Sequence, residues 1–306
     1  MRHLTVGVFH DENLNRELGK KGTESDIIMF NRKMDDHVFT FMSPVADKLS
    51  AKSQIISTID AAVVSFSQIT RELGETILML DLTGVKEGIS ITTPYATPDQ
   101  IYAITKNTSI KSFKVEENNP SILLELLKSF NPLRDNVSPT VVVVDHSFSV
   151  KGVGEVVLGF VKQGIVRKYD KLNLLPTNKE VIVRSIQIQD EDWETAEAGT
   201  RVGLAIKGAT IDELERGSVL TTSTDIKADS KLKVRFQKST FYTEEVRKGS
   251  FHATIGMQTV PITISEISDN SLTIDSTNPI IHAPQDTLFL LDLNAKKTRI
   301  IGKCTV

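Results

Sequence analysis

The chain has 306 residues, 40% of them hydrophobic and 25% charged, the balance of a soluble globular protein long enough for two or three domains. A formal net charge of -3 excludes a general basic field for nucleic acid, so any RNA contact must use a local patch. The single cysteine, Cys304, excludes an internal disulfide framework and a multi-cysteine metal site.

No apolar stretch approaches the roughly 20 residues of a membrane span. Met1-Arg2-His3 leads into a short apolar run and then charges, unlike a secretory leader. A cytoplasmic protein with no membrane partner is expected. Residues 4–9, 38–42, 61–66 and 88–92 are short apolar runs that read as buried strands. Between and after them, 47–58, 68–80, 99–106 and 120–130 carry helical spacing, with Ile122, Leu123, Leu126 and Leu127 on one face. Strands alternating with helices predict a parallel sheet covered on both faces. The run Asn131-Pro132-Leu133-Arg134-Asp135-Asn136 cannot continue a helix and marks a loop.

The texture then changes. Residues 141–144, 155–161, 171–175 and 180–189 are β-branched runs punctuated by glycine, and predict an antiparallel barrel. Residues 232–236, 251–255, 259–265, 271–274, 287–292 and 299–305 repeat the style and predict a second. The expected architecture is α/β followed by two antiparallel β-barrels, with domains at 1–136, 137–224 and 225–306.

One stretch is specific: Val144-Asp145-His146-Ser147-Phe148-Ser149-Val150-Lys151-Gly152-Val153-Gly154-Glu155-Val156-Val157-Leu158-Gly159. It resembles the opening of domain 2 in EF-Tu-type translational GTPases, above all the selenocysteine-specific factor SelB. Gly164-Ile165-Val166, Asp170-Lys171-Leu172, Val183-Arg184-Ser185-Ile186-Gln187, Ala198-Gly199-Thr200-Arg201-Val202-Gly203 and Arg216-Gly217-Ser218-Val219-Leu220 continue the likeness. Over residues 225–306 it rests on position and length.

The resemblance implies a nucleotide-binding domain at the front, with a P-loop fold, yet each chemical position differs. A phosphate loop ending Gly-Lys-Thr needs bare backbone N–H groups, a lysine for the β- and γ-phosphates and a hydroxyl for Mg²⁺. Here those three places hold Asn15, Arg16 and Glu17, after Asp11 and Glu12. A like-charge contact at about 4 Å costs roughly 4 kcal/mol at an effective dielectric near 20. A shifted loop using Gly19-Lys20-Lys21 has Leu14 where glycine belongs and Lys21 where serine or threonine belongs. The Asp-x-Pro-Gly-His segment aligns with Met42-Ser43-Pro44-Val45-Ala46, so only the proline remains. The base-reading motif falls at Thr92-Thr93-Pro94-Tyr95, without its lysine and with Tyr95 in place of the guanine-pairing aspartate. Little room for a switch I segment remains between Glu17 and the strand at Val38.

In SelB-like factors an Asp-His pair at the start of this barrel and an arginine on a later strand line the aminoacyl pocket. The matching positions are Asp145, His146 and Arg184, a set suited to charge-assisted hydrogen bonds. The competing view makes Asp145 and His146 a turn and Arg184 a surface ion-pair partner. Lys151, Arg167, Lys168 and Lys171 are candidates for a rim at a tRNA acceptor end. Lys231, Lys233, Arg235 and Lys238 are candidates for a phosphate-contacting stripe, three of them at alternate strand positions. A solvated face is the competing reading of each. His37, His252, the adjacent trio His10-Asp11-Glu12 and the lone Trp193 carry no metal or binding assignment.

The combined expectation is an EF-Tu/SelB-like protein that binds tRNA or the ribosome, or a protein of that machinery, without hydrolysing GTP. Neither metal, cofactor nor DNA is expected. GTP and Mg²⁺ enter only under the alternative of a divergent, active GTPase.

Overall fold

The computed structural model describes residues 1–306, the side chain of Asp47 excepted. The chain divides into two compact units. The first comprises Met1–Pro132 with Lys238–Glu244 and Leu291–Lys303; the second comprises Leu133–Gln237, Glu245–Leu290 and Cys304–Val306.

The first unit is built on β1 (Arg2–Phe9), α1 (Leu14–Leu18), β2 (Lys20–Glu24), β3 (Ile27–Met34), β4 (His37–Pro44), α2 (Leu49–Ile56), β5 (Ala61–Ser65), α3 (Arg71–Thr83), β6 (Glu87–Ile91), α4 (Pro98–Thr105), β7 (Lys114–Glu116) and α5 (Pro120–Lys128). The strands form one sheet in the order β2-β3-β4-β1-β5-β6-β7. Pairings from β4 through β7 are parallel, as expected of strands buried on both faces. The sheet is not wholly parallel, however. Residues 20–34 supply β2 and β3, which run antiparallel at one edge. Asp35, at φ 54°, and Asp36 make the two-residue turn between Met34 and His37.

Helix boundaries follow their caps. The Thr70 side chain accepts from the Leu73 N–H and Gly84, at φ 71°, ends the turn, so α3 lies three residues further along than the apolar spacing predicts. Thr97 and Gln100 form a capping box at α4. Val6, Val63, Ile89, Phe39, Leu123 and Leu127 lie in the core under the sheet. Within the same unit, the buried Glu75 carboxylate of α3 accepts from the Arg299 backbone N–H at 2.9 Å and from its Nε at 3.0 Å. Lys303 Nζ donates to the Leu82 carbonyl at 3.0 Å.

The second unit opens with β8 (Val141–Val150), β9 (Gly154–Gln163), β10 (Ile165–Arg167), β11 (Lys171–Leu175), β12 (Lys179–Ile188), β13 (Glu191–Trp193), β14 (Thr195–Glu197), β15 (Arg201–Lys207) and β16 (Val219–Thr221). Seven of them lie in the order β11-β16-β8-β9-β15-β12-β13, and pairing of β11 with β12 closes a barrel, while β10 and β14 pair with each other. Val142, Val144, Val157, Val183, Leu204 and Leu220 fill it. Gly159 is required there: a Cβ would stand 2.5 Å from the Val143 carbonyl oxygen.

From Lys227 onward β17 (Lys227–Lys238), β18 (Gly249–Ile255), β19 (Gln258–Ser268), β20 (Ser271–His282), β21 (Thr287–Leu291) and β22 (Ile300–Thr305) close another barrel in the order β17-β20-β19-β18-β21-β22. Val141, Leu175, Val219 and Ile281 pack together, with Ile226 and Ala228 against them, inside the second unit.

Candidate functional site

In doubly wound sheets ligands bind beyond the carboxyl ends of the parallel strands. In the first unit that place is an open cleft of about 330 Å³, lined just beyond β1 by His10, Asp11 and Glu12, at the end of β4 by Ser43 and Pro44, and beyond β5 by Ser67, Gln68, Thr70 and Glu72. Among the described residues the lining includes three carboxylates and no lysine or arginine. Glu72's own backbone N–H, together with Arg71, holds its carboxyl below the usual carboxylate range, so it stays ionised.

The loop after β1 is held by its own side chains. His10 takes the left-handed conformation at φ 64° and its Nε2 lies 2.9 Å from Thr76 Oγ1. Asp11 Oδ1 accepts from the backbone N–H groups of Asn13 at 3.1 Å and Leu14 at 3.0 Å, and Oδ2 accepts from Asn118 at 3.0 Å. A carboxylate of the chain thus sits at the start of α1, where free N–H groups would otherwise attract an anion. Asn15 is buried, and its amide donates to Ser43 Oγ, which in turn donates to the Val8 carbonyl at 2.6 Å. Arg16 and Glu17 are exposed on α1, Met42 is buried in β4, Ala46 is exposed at φ 50°, and Tyr95 is exposed beyond β6.

The residues of the shifted loop that the sequence argues against lie apart from any phosphate loop: Gly19 follows α1 in extended backbone, while Lys20 and Lys21 lie in the edge strand β2. The interval before Val38 is also occupied, by β2 and β3, and not merely short.

The barrel trio is not brought together as expected. Asp145 and His146 lie within β8 at an irregularity in its pairing with β9, not in a turn. Asp145 is fully buried and its Oδ2 accepts from Arg201 Nε, on β15, at 2.9 Å; its backbone carbonyl accepts from Arg216 at 3.1 Å. Arg184 stands exposed on β12, beyond β9 and β15 in the strand order. Neither Arg201 nor Arg216 was assigned a role by the sequence. The only available signal was an arginine among the small and apolar residues of Gly199-Thr200-Arg201-Val202-Gly203. His146 is half-buried beside Phe148.

Of the basic candidates, Lys151 is exposed between β8 and β9, and Arg167 is exposed at the end of β10. Lys168 pairs with Glu194 at 3.3 Å, Lys171 with Glu180 at 3.0 Å and Lys231 with Asp275 at 3.8 Å. Lys231, Lys233 and Arg235 do share the exposed face of β17, with Leu232 and Val234 buried between them. Lys238, at the end of that strand, donates to the Glu244 carbonyl at 2.7 Å. His37 is buried and stacks on Phe39, and Trp193 is part-exposed on β13, opposite Ile186. Among the described residues no group of His, Cys, Asp and Glu is placed to hold a metal ion, and no helix is long and apolar enough to cross a membrane.

An α/β unit with a cleft at its strand ends, followed by two closed barrels, is the architecture of an elongation factor. Residues 154–221 match the family described as Elongation factor Tu domain 2. The chain belongs to the translational GTPase superfamily of the EF-Tu/SelB type. Within it, uncharacterized protein MJ0325 of Methanocaldococcus jannaschii is 37% identical over 306 residues, 99% of each chain, and the two form one family. The selenocysteine-specific elongation factor of the same organism is 39% identical over 166 residues, and that of Escherichia coli 32% identical over 156. These matches cover 52% and 51% of the chain but only 34% and 25% of the two factors. Translation elongation factor SelB from Methanococcus maripaludis, solved in complex with the GTP analogue GPPNHP, superposes with a TM-score of 0.81 at 21% identity, covering 100% of this chain and 79% of that one. A bacterial selenocysteine-specific elongation factor EF-Sec gives 0.81 at 18% identity, with 100% and 58% covered. At these identities the superpositions establish the fold.

Proposed function

We propose that this chain is a SelB-like paralogue that binds a tRNA acceptor end, or another part of the translation machinery, without binding or hydrolysing GTP. The observation that carries the proposal is Asp11. Its carboxylate takes the N–H groups of Asn13 and Leu14 that a phosphate would need, in a cleft also lined by Glu12 and Glu72. A triphosphate entering there meets like charge at roughly 4 kcal/mol per close contact. It finds no lysine or arginine among the described lining residues. The RNA-binding part rests on the domain 2 match and on the exposed cations Lys151, Arg167, Arg184, Lys233 and Arg235, with His146 half-buried on β8. Asp145 enters as the residue that anchors Arg201 within the barrel, not as a ligand contact.

Two titrations test the proposal. A fluorescent GTP analogue with Mg²⁺ is expected to show no saturable binding up to about 100 µM, a range that covers the micromolar affinities typical of functional sites. The spontaneous hydrolysis of aminoacyl esters on bulk charged tRNA is expected to slow on adding the protein, equally with and without GTP. Micromolar nucleotide binding, or protection that requires GTP, establishes the divergent GTPase instead. Absence of protection in every condition, with a stoichiometric protein partner on purification, establishes a protein scaffold.

A further inference from the structure

The second unit contains a cavity of about 340 Å³ whose lining comes from both of its β-barrels. Its size is that of a small-molecule pocket, and pockets form preferentially where two folded bodies meet. Val141, Val219, Ile226, Ile255, Met257 and Ile281 supply apolar walls. The frame is rigid. Gly217, at φ 90°, lies so close to Gln258 that a Cβ would stand 2.8 Å from its Cα. The Gln258 amide donates to the Pro279 carbonyl at 2.9 Å and accepts from the Ile281 N–H at 3.0 Å. Opening is therefore preformed, and does not wait on a side-chain rearrangement.

The charges around it are asymmetric. Lys162 Nζ lies 3.2 Å from Asp286 Oδ1, and Asp286 Oδ2 accepts from the Ala283 N–H at 2.8 Å, so both of these groups are engaged. Asp225 is exposed at the cavity, and among the described residues its carboxylate has no hydrogen-bond or ion-pair partner. An anion gains little here, because the two basic groups of the lining are already engaged, Lys162 by Asp286 and His282 Nε2 by Asp229 at 3.0 Å. An apolar body gains the walls, and a cation gains Asp225.

We propose that this inter-barrel cavity binds a small apolar molecule carrying one primary ammonium group, with the apolar part against Val219, Met257 and Ile281 and the ammonium at Asp225. The site is independent of the acceptor-end proposal, and its test contains no RNA.

The test uses the full chain carrying ¹³C-methyl methionine, with the Met257 signal assigned through Met257→Leu. Three probes share one apolar body: 4-phenylbutylamine, 4-phenylbutanol and 4-phenylbutyrate. The amine is expected to shift the Met257 methyl saturably and to bind about fivefold tighter than the alcohol, the size of an exposed charge contact. The acid, which has the same apolar body but meets Asp225 as a like charge, is expected to bind more weakly than the alcohol. Asp225→Asn, an exposed isosteric change, is expected to bring the amine to the affinity of the alcohol without moving the alcohol. The proposal is overturned if no probe moves Met257, if the acid binds as well as the amine, or if the amine is unaffected by Asp225→Asn.

Discussion

Removing Arg201 would leave the Asp145 carboxylate in the barrel wall without its counter-charge. Asp145 has no accessible side-chain surface, and Arg201 lies 2.9 Å away with 12% exposed. Breaking such a pair from one side costs about 3 kcal/mol or more, because the remaining charge stays buried. Arg201→Ala is therefore expected to lower the urea unfolding free energy by about 3 kcal/mol, whereas Arg184→Ala, on the exposed face of β12, should stay within about 0.5 kcal/mol of wild type. Loss of aminoacyl-ester protection in Arg184→Ala is then a binding effect; the same loss in Asp145→Ala is not interpretable without a stability measurement. The residue types in this region were legible in the sequence and their partners were not. Asp145 and Arg201 lie 56 positions apart, on strands separated by β9. Only the strand order β8-β9-β15 of the folded sheet brings them within reach, and no local spacing rule reports a contact of that kind.

Caps and turns governed the elements more than apolar spacing did. The strands β2 and β3 escaped prediction because charges break their pattern: β2, at the sheet edge, carries the exposed Lys20 and Lys21, and β3, next to it, carries the half-buried Arg32 and the exposed Lys33 after its apolar start. The strands β1, β4, β5 and β6 were legible because burial on both faces writes a continuous apolar run. One turn carries an unexpected residue. Tyr169, between β10 and β11, adopts φ 70° with its ring largely exposed, and its ring contact with Lys168 is 5.4 Å from centroid to Nζ. Left-handed backbone costs a bulky residue of order 1 kcal/mol or more, and glycine avoids that cost while losing some unfolded-state entropy. Tyr169→Gly is expected to raise the unfolding free energy by about 0.5–1 kcal/mol, read as a higher midpoint in urea at unchanged slope. A lower midpoint would mean that the exposed ring contributes packing that outweighs the strain.

At the scale of the whole molecule, the fold class was legible because glycine-punctuated β-branched runs follow an alternating α/β half, and each half needs a different way of burying its strands. Cys304 offers a probe of how that fold holds together. It lies on β22 with no accessible surface, and burial pushes its thiol from 9.0 up to about 12. Between these values the unfolded thiol ionises while the folded one keeps its proton, so stability falls as pH rises through that window. At one unit above the unfolded value the loss is about 1.4 kcal/mol, and below pH 8 it is negligible. Other groups titrate in the same range, so the useful quantity is a difference of differences. Urea unfolding of wild type and of Cys304→Ala at pH 8 and at pH 10 separates the terms: the smaller side chain lowers stability by a similar amount at both values, while only wild type carries the thiol. The wild-type protein should therefore lose about 1.4 kcal/mol more than the variant between the two values. Equal losses would mean that the thiol ionises in the folded chain, and hence that β22 admits water at Cys304. Reaction with 5,5′-dithiobis(2-nitrobenzoate) at pH 8 distinguishes that case directly, being slow and accelerated by urea for the packed strand, and fast and insensitive to urea for the open one.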